Sequence, residues 1–334
     1  MLKVTKITFP GLFPNLEMEV DSVAFKLFGH EFPWYAIFIT LGIIFCFFYT
    51  IYRARRVGII PDHIIDIGIV AVICGIIGAR AYYVATSWDS YKDNLVDIFK
   101  IWEGGIAIYG SLIGGAIGVI IVCKIKKLSF PLVADCLSPS LLFAQALGRW
   151  GNFFNAEAYG AETDIFCRMG LQRMGSAYTI YVHPTFLYES IWNLLGFILI
   201  NLLYKKKKFD GQIVCMVFAW YGFARMFIEV LRSDSLYIVP GYDVWYNKIS
   251  VIIGFLFFLV CTTIIVVQLN EIHQGHLLPL TVEGEPVKGE PIFKKKQKTP
   301  ASDATADAEK PSDTPAPKSK TEAKKKRGNR DDKT

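Results

Sequence analysis

The chain reads as an all-α polytopic membrane protein: seven transmembrane helices, a small extracytoplasmic head and a disordered, charged cytoplasmic tail. Three observations predict this. The 334 residues are 52% hydrophobic and 14% aromatic, far more apolar than a soluble chain of that size. The apolarity is concentrated in residues 33–269, whereas 270–334 holds almost no large apolar side chain. Within the apolar part, runs of about 20 residues, enough to cross a bilayer, alternate with short clusters of Lys and Arg.

Residues 1–32 carry scattered Phe and Leu, two prolines and several acids, and read as an arm on the membrane surface. They lack the basic start and apolar core of a cleavable signal peptide. The first span is expected at 34–52, stopped by Arg53, Arg55 and Arg56, and the second at 63–85, before a polar loop at 86–100. The third covers 105–123 and ends in Lys124, Lys126 and Lys127; the fourth covers 130–147. Residues 151–182 are too polar to span and are expected to form a head. The fifth span follows at 184–204, stopped by lysines at 205–208, then the sixth at 211–231 and the seventh at 245–269.

Seven spans put the two ends on opposite sides. The basic clusters at 53–56, 124–127 and 205–208 and the tail all fall on one side, which the positive-inside rule makes cytoplasmic. The N-terminus, the 86–104 loop, the 148–183 segment and the 232–246 loop then face outward. The net charge of +6 is no argument for nucleic acid, because the cations sit at helix ends and in the tail. The seven Cys form no CxxC pair and lie mostly inside apolar runs, so a disulfide framework or zinc site is not expected. The tail from Gly284 onward is rich in Lys, Pro, Ala, Ser, Thr and Asp. Such a segment buries too little apolar surface to offset its ordering entropy.

One stretch departs from an ordinary membrane anchor. Gly148-Arg149-Trp150-Gly151-Asn152-Phe153-Phe154-Asn155-Ala156-Glu157-Ala158-Tyr159-Gly160 crowds an Arg, two Asn and a Glu among glycines and aromatics. A single Arg here would be read as snorkelling; the whole cluster reads as a site, because intramembrane charge is costly unless paired or serving an anion. Asn and Gly beside it suggest irregular backbone, tolerated at this depth only inside protein or beside a watery cavity.

The sixth span carries a second constellation. Tyr221, Arg225, Glu229 and Arg232 fall at i, i+4, i+8 and i+11, on one helical face. An ion-pair ladder holding the bundle together would use the same residues. Two Arg against one Glu, however, leave a positive excess that calls for an anion. Guanidiniums grip two phosphate oxygens at once and stay charged. The residues alone therefore reach an anionic-lipid site opening outward.

The first constellation resembles the signature Gly-Arg-x-Gly-Asn-Phe-x-Asn-x-Glu-x-x-Gly of the bacterial prolipoprotein diacylglyceryl transferases, with every fixed position present. The segment His183-Pro184-Thr185-Phe186-Leu187-Tyr188-Glu189 is similar to that family's His-Pro-x-x-Leu-Tyr-Glu, and the Tyr221–Arg232 spacing matches as well. Many family members have His-Gly-Gly where this chain has Tyr109-Gly110-Ser111, and Tyr is a poor base at neutral pH.

The resemblance implies transfer of the diacylglyceryl group of phosphatidylglycerol to the lipobox Cys of an exported prolipoprotein. Glycerol phosphate leaves, and no cofactor or metal is needed. It implies catalytic roles for Arg149, Arg225, Tyr109 and Glu229. Contacts to substrate would come from Tyr35, Gly104, Asn152, Asn155, Glu157, Gly160, His183, Tyr188, Glu189, Tyr221 and Arg232. Arg149 and Arg225 would stabilise the departing phosphate, with Glu229 orienting Arg225 and Glu157 orienting Arg149 or the headgroup. The proton of the attacking thiol has four candidate acceptors: Tyr109, Glu189, His183 and a phosphate oxygen of the lipid. A transporter or flippase for an anionic lipid is the competing reading, and a non-catalytic lipid-binding scaffold a third.

Overall fold

The computed structural model describes residues 4–173, 175–232 and 244–277. The tail expected from Gly284 onward and most of the 232–246 loop lie outside the described residues. The fold is mostly helical, and seven helices are long and apolar enough to cross a membrane. They are α1 (Trp34–Arg56), α2 (Pro61–Thr86), α3 (Ile108–Ile125), α4 (Phe130–Asn155), α5 (Thr185–Leu203), α6 (Gln212–Leu231) and α7 (Ile249–His273).

These match the seven expected spans, and the ends that differ do so for physical reasons. Helix α1 continues through Arg53, which is not a lipid-facing stop. Its side chain is buried, stacks 4.0 Å over the Tyr204 ring and donates to the Tyr49 hydroxyl at 2.9 Å and to Asn201. Helix α3 starts later than expected because Gly104 and Gly105 hold φ of +94° and +76°, outside helical space. Helix α4 overshoots by two turns. The backbone expected to be irregular beside Arg149 is helical to Asn155 and breaks only at Ala156, whose φ is +46°.

A small sheet accompanies the helices. Strands β1 (Val4–Phe9), β2 (Phe13–Glu19), β3 (Val23–Leu27) and β4 (His30–Pro33) precede α1, while β5 (Met169–Arg173) and β6 (Thr179–Val182) lie between α4 and α5. One antiparallel sheet runs β2-β1-β5-β6, and β3–β4 form a separate hairpin. Residues 4–19 are thus part of the head's sheet rather than of a separate arm. Ile7 pairs with Leu171 and Thr8 with Gly170, so the N-terminus completes the head's sheet. The pairing was hidden because strands over 160 residues apart leave no local periodicity. Ile7, Phe9, Met169, Leu171 and Val182 bury one sheet face against Phe153 of α4 and Phe186 of α5. The head is thereby seated on the helix ends that carry Arg149 and Glu189.

Close backbone approach sets the helix pairs. A Cβ on Gly114 of α3 would lie 2.2 Å from the Cys74 carbonyl of α2, and one on Gly110 would lie 2.2 Å from that of Gly78. Packing therefore accounts for Gly110 and Gly114. Helices α6 and α7 touch in the same way at Gly222 and Gly254. Near the start of α6, buried Lys207 pairs with Asp135 at 2.9 Å and Asp210 at 2.8 Å. Asp135 also accepts the N–H groups of Gly211 and Val214, fastening α4 to α6.

Candidate active site

Consecutive spans alternate in direction, so the starts of α1, α5 and α7 share one end of the bundle with the ends of α2, α4 and α6. Tyr35, Arg149, Glu189, Arg225, Glu229 and Arg232 all fall there. Glu189, one turn into α5 and 4% exposed, is the hub. Its Oε2 pairs with Arg149 Nη2 at 2.5 Å, and its Oε1 with Arg225 Nη1 at 3.2 Å and Arg232 Nη1 at 3.7 Å. Arg225 also pairs with Glu229 on its own helix. Among the described residues, the guanidiniums of Arg149, Arg225 and Arg232 thus converge on Glu189, with Glu229 holding Arg225 from its own helix. Tyr221 lies within electrostatic reach of Arg225, Glu189, Arg149 and Glu229.

The signature residues extend this cluster by hydrogen bonds. Arg149 Nη1 donates to Asn152 Oδ1 at 3.2 Å; the amides of Asn152 and Asn155 donate to Glu157 Oε1 at 3.0 and 3.1 Å. Glu157 thus reaches Arg149 through Asn152. Tyr35 packs on Gly151, where a Cβ would lie 2.4 Å from its ring. That contact places Tyr35 beside the turn carrying Asn152.

Gly160 is where three segments cross. Its N–H donates to the His183 carbonyl at 2.9 Å, it bridges to Arg232, and the next N–H, on Ala161, donates to the Leu231 carbonyl at 2.8 Å. An added Cβ would sit 2.6 Å from His183 Cβ and 2.7 Å from the Leu231 carbonyl oxygen. Gly160→Ala is therefore expected to cost about 1–3 kcal/mol through forced backbone shifts and to lower activity by displacing Arg232. Thermal unfolding in detergent beside a turnover assay checks this.

Other expected residues lie elsewhere. His183 Nδ1 is 3.4 Å from the Tyr188 hydroxyl, which in turn lies 3.3 Å from Cys167 Sγ; none of the three bonds to the guanidiniums. Partial burial pushes the His183 imidazole below its ordinary pKa. Tyr109, 38% exposed, leans on Tyr82 of α2 and makes no hydrogen bond or ion pair with the cluster. The Gly104 carbonyl serves Arg80 of α2. The Arg80 guanidinium donates to the carbonyls of Asp97, Ile98, Gly104 and Gly105 at 2.6–2.8 Å, closing the 97–105 loop around itself.

Two groups that no sequence pattern singles out belong to this neighbourhood. Ser190, next to Glu189, donates to the Ala146 carbonyl and ties α5 to α4 at 3.1 Å. Lys248, immediately before α7, is buried against α6.

The arrangement is suited to holding a phosphate: fixed positive charge of planar donors, oriented by buried carboxylates, at one end of a membrane bundle. Comparison with known proteins agrees. The family model for prolipoprotein diacylglyceryl transferase matches residues 22–267. The phosphatidylglycerol–prolipoprotein diacylglyceryl transferase of Listeria welshimeri is 43% identical over 223 residues, covering 65% of this chain and 80% of that protein. Its namesake in Finegoldia magna is 44% identical over 220 residues, covering 66% and 86%. The Streptococcus suis protein of that name is 42% identical over 246 residues, covering 71% and 91%. With a match spanning every helix that carries the cluster, this chain belongs to the prolipoprotein diacylglyceryl transferase family.

Proposed function

We propose that the chain moves the diacylglyceryl group of phosphatidylglycerol onto the lipobox cysteine of prolipoproteins, with Arg149, Arg225 and Arg232 receiving the departing phosphate. Membership of the family and the names its relatives carry support the reaction. The observation that carries the residue roles is the convergence of three guanidiniums on Glu189.

In the reaction, a sulfur–carbon bond forms at the glycerol carbon while that carbon's bond to the phosphate oxygen breaks. The electron pair stays on the oxygen, so a phosphodiester with one negative charge leaves as a monoester with two. Positioned guanidiniums stabilise that growing charge more than the ground state, which is what lowers a barrier. Both Glu189 oxygens are engaged by guanidiniums. The candidate acceptors for the thiol proton are Tyr109, Glu189, His183 and a phosphate oxygen of the lipid. The cluster lies at the end of the bundle opposite the basic clusters at 53–56, 124–127 and 205–208, so the positive-inside rule turns it toward the extracytoplasmic side.

Incubating purified protein with labelled phosphatidylglycerol and a lipobox peptide tests the reading. Thioether-linked peptide is the expected product. Lipid crossing the bilayer without product would make the chain a transporter, and binding without either would make it a scaffold. Removal of the residues after Gly284 is expected to leave this turnover intact, since the family match ends at 267. A truncated protein that folds but is inactive would give the tail a catalytic part.

A further inference from the structure

Helix α6 presents its site residues at its carboxyl end, a poor place for an anion. The last four carbonyls of a helix lack intrahelical partners, and they carry about half a negative charge. Glu229 lies in this last turn, Arg232 caps it and Arg225 is about one turn further in. Ala161 of the head donates to the Leu231 carbonyl, as described above. Among the described residues, one side chain from the far side of the loop adds three more bonds: Lys248 Nζ donates to the carbonyls of Glu229 at 3.1 Å, Val230 at 3.4 Å and Arg232 at 3.0 Å.

Lys248 is the residue immediately before α7 and is 4% exposed. A buried ammonium persists only where its donors are satisfied, and here the acceptors are backbone atoms of the residues that build the site. The Gly222–Gly254 contact, two turns further into the bundle, keeps α7 close enough for the reach.

We infer that Lys248 is a positioning residue for transfer: its three hydrogen bonds fix the last turn of α6 and thereby hold Arg232 toward Glu189 and Glu229 against Arg225. The inference rests on the transferase reading. Lys248 touches backbone rather than substrate, so it acts through Arg232 and Glu229. Among the described residues its three hydrogen-bond acceptors are neutral carbonyls, two of which the N–H groups of a glutamine amide could serve.

The test uses full-length protein in detergent with labelled phosphatidylglycerol and a lipobox peptide, normalised to folded protein by size exclusion. Lys248→Met keeps length and removes the donors. It is expected to lower kcat by about tenfold or more, as small misplacements of reacting groups do, while KM for the lipid moves less than about threefold. Lys248→Gln restores donation without charge and is expected to recover most of kcat. A merely structural lysine would instead lower the folded fraction and leave kcat per folded molecule unchanged. That outcome overturns the inference, as does equal loss in Met and Gln, which would assign the effect to charge. Should Lys248→Met not fold, Lys248→Thr, too short to reach the carbonyls, is read the same way. Absence of thioether product from the unaltered protein would defeat the transferase reading itself, and is thereby distinct from a normal Lys248→Met enzyme.

Discussion

Arg225→Lys is expected to lower thioether formation by about 10²–10³-fold, the loss seen when one oriented donor is removed from a transition-state anion site. The substitution keeps the positive charge, so electrostatic attraction of the lipid survives. What it removes is the fork. Arg225 reaches Glu189 on α5 and Glu229 on its own helix with two different nitrogens. An ammonium on a flexible stem is a point charge that cannot span both and still face a phosphate. KM for phosphatidylglycerol is expected to change little beside kcat. Size exclusion and thermal unfolding separate this from misfolding; a lysine enzyme that turns over at the normal rate would remove Arg225 from the site.

Glu189→Gln is the second substitution with a large effect, and its signature differs. The carboxylate is shared by Arg149, Arg225 and Arg232, which come from α4 and α6. Neutralising it takes away the one carboxylate partner that, among the described residues, all three share. Breaking a buried pair by removing one partner costs about 3–5 kcal/mol. The expected result is therefore a joint loss, with a lower unfolding temperature and activity near background. Glu157→Gln, whose reach to Arg149 passes through Asn152, serves as the comparison and is expected to lose far less of both. Equal behaviour of the two variants would mean that Glu189 is not the hub.

The two predictions rest on different kinds of legibility. Arg225 and Glu229 are four residues apart on one helix, so their pairing follows from helical period alone. Arg149 is flagged by the cost of its charge at the end of an apolar run. Glu189 was marked by residue type and by resemblance, but its partners were not legible: sequence spacing offered Glu229 to Arg225 and Glu157 to Arg149, and the shared partner lies 36 and 40 positions away in the chain. The Gly110 packing, the caged Arg80 and the sheet pairing of the N-terminus with 169–173 were likewise unreadable. Each depends on which segment lies alongside, and local period carries no record of that.

The seven crossings, the basic face of the bundle and the polar stretches set against lipid follow from the sequence by itself. Hydrocarbon thickness and the cost of charge in it act on one segment at a time, so a linear reading captures them. Only the tertiary structure decided which carboxylate gathers the arginines, why Gly160 can be nothing larger, and that a lysine beyond the last loop holds the end of α6. Those facts are fixed by contacts between helices, where a few ångströms of approach determine which donors and acceptors meet.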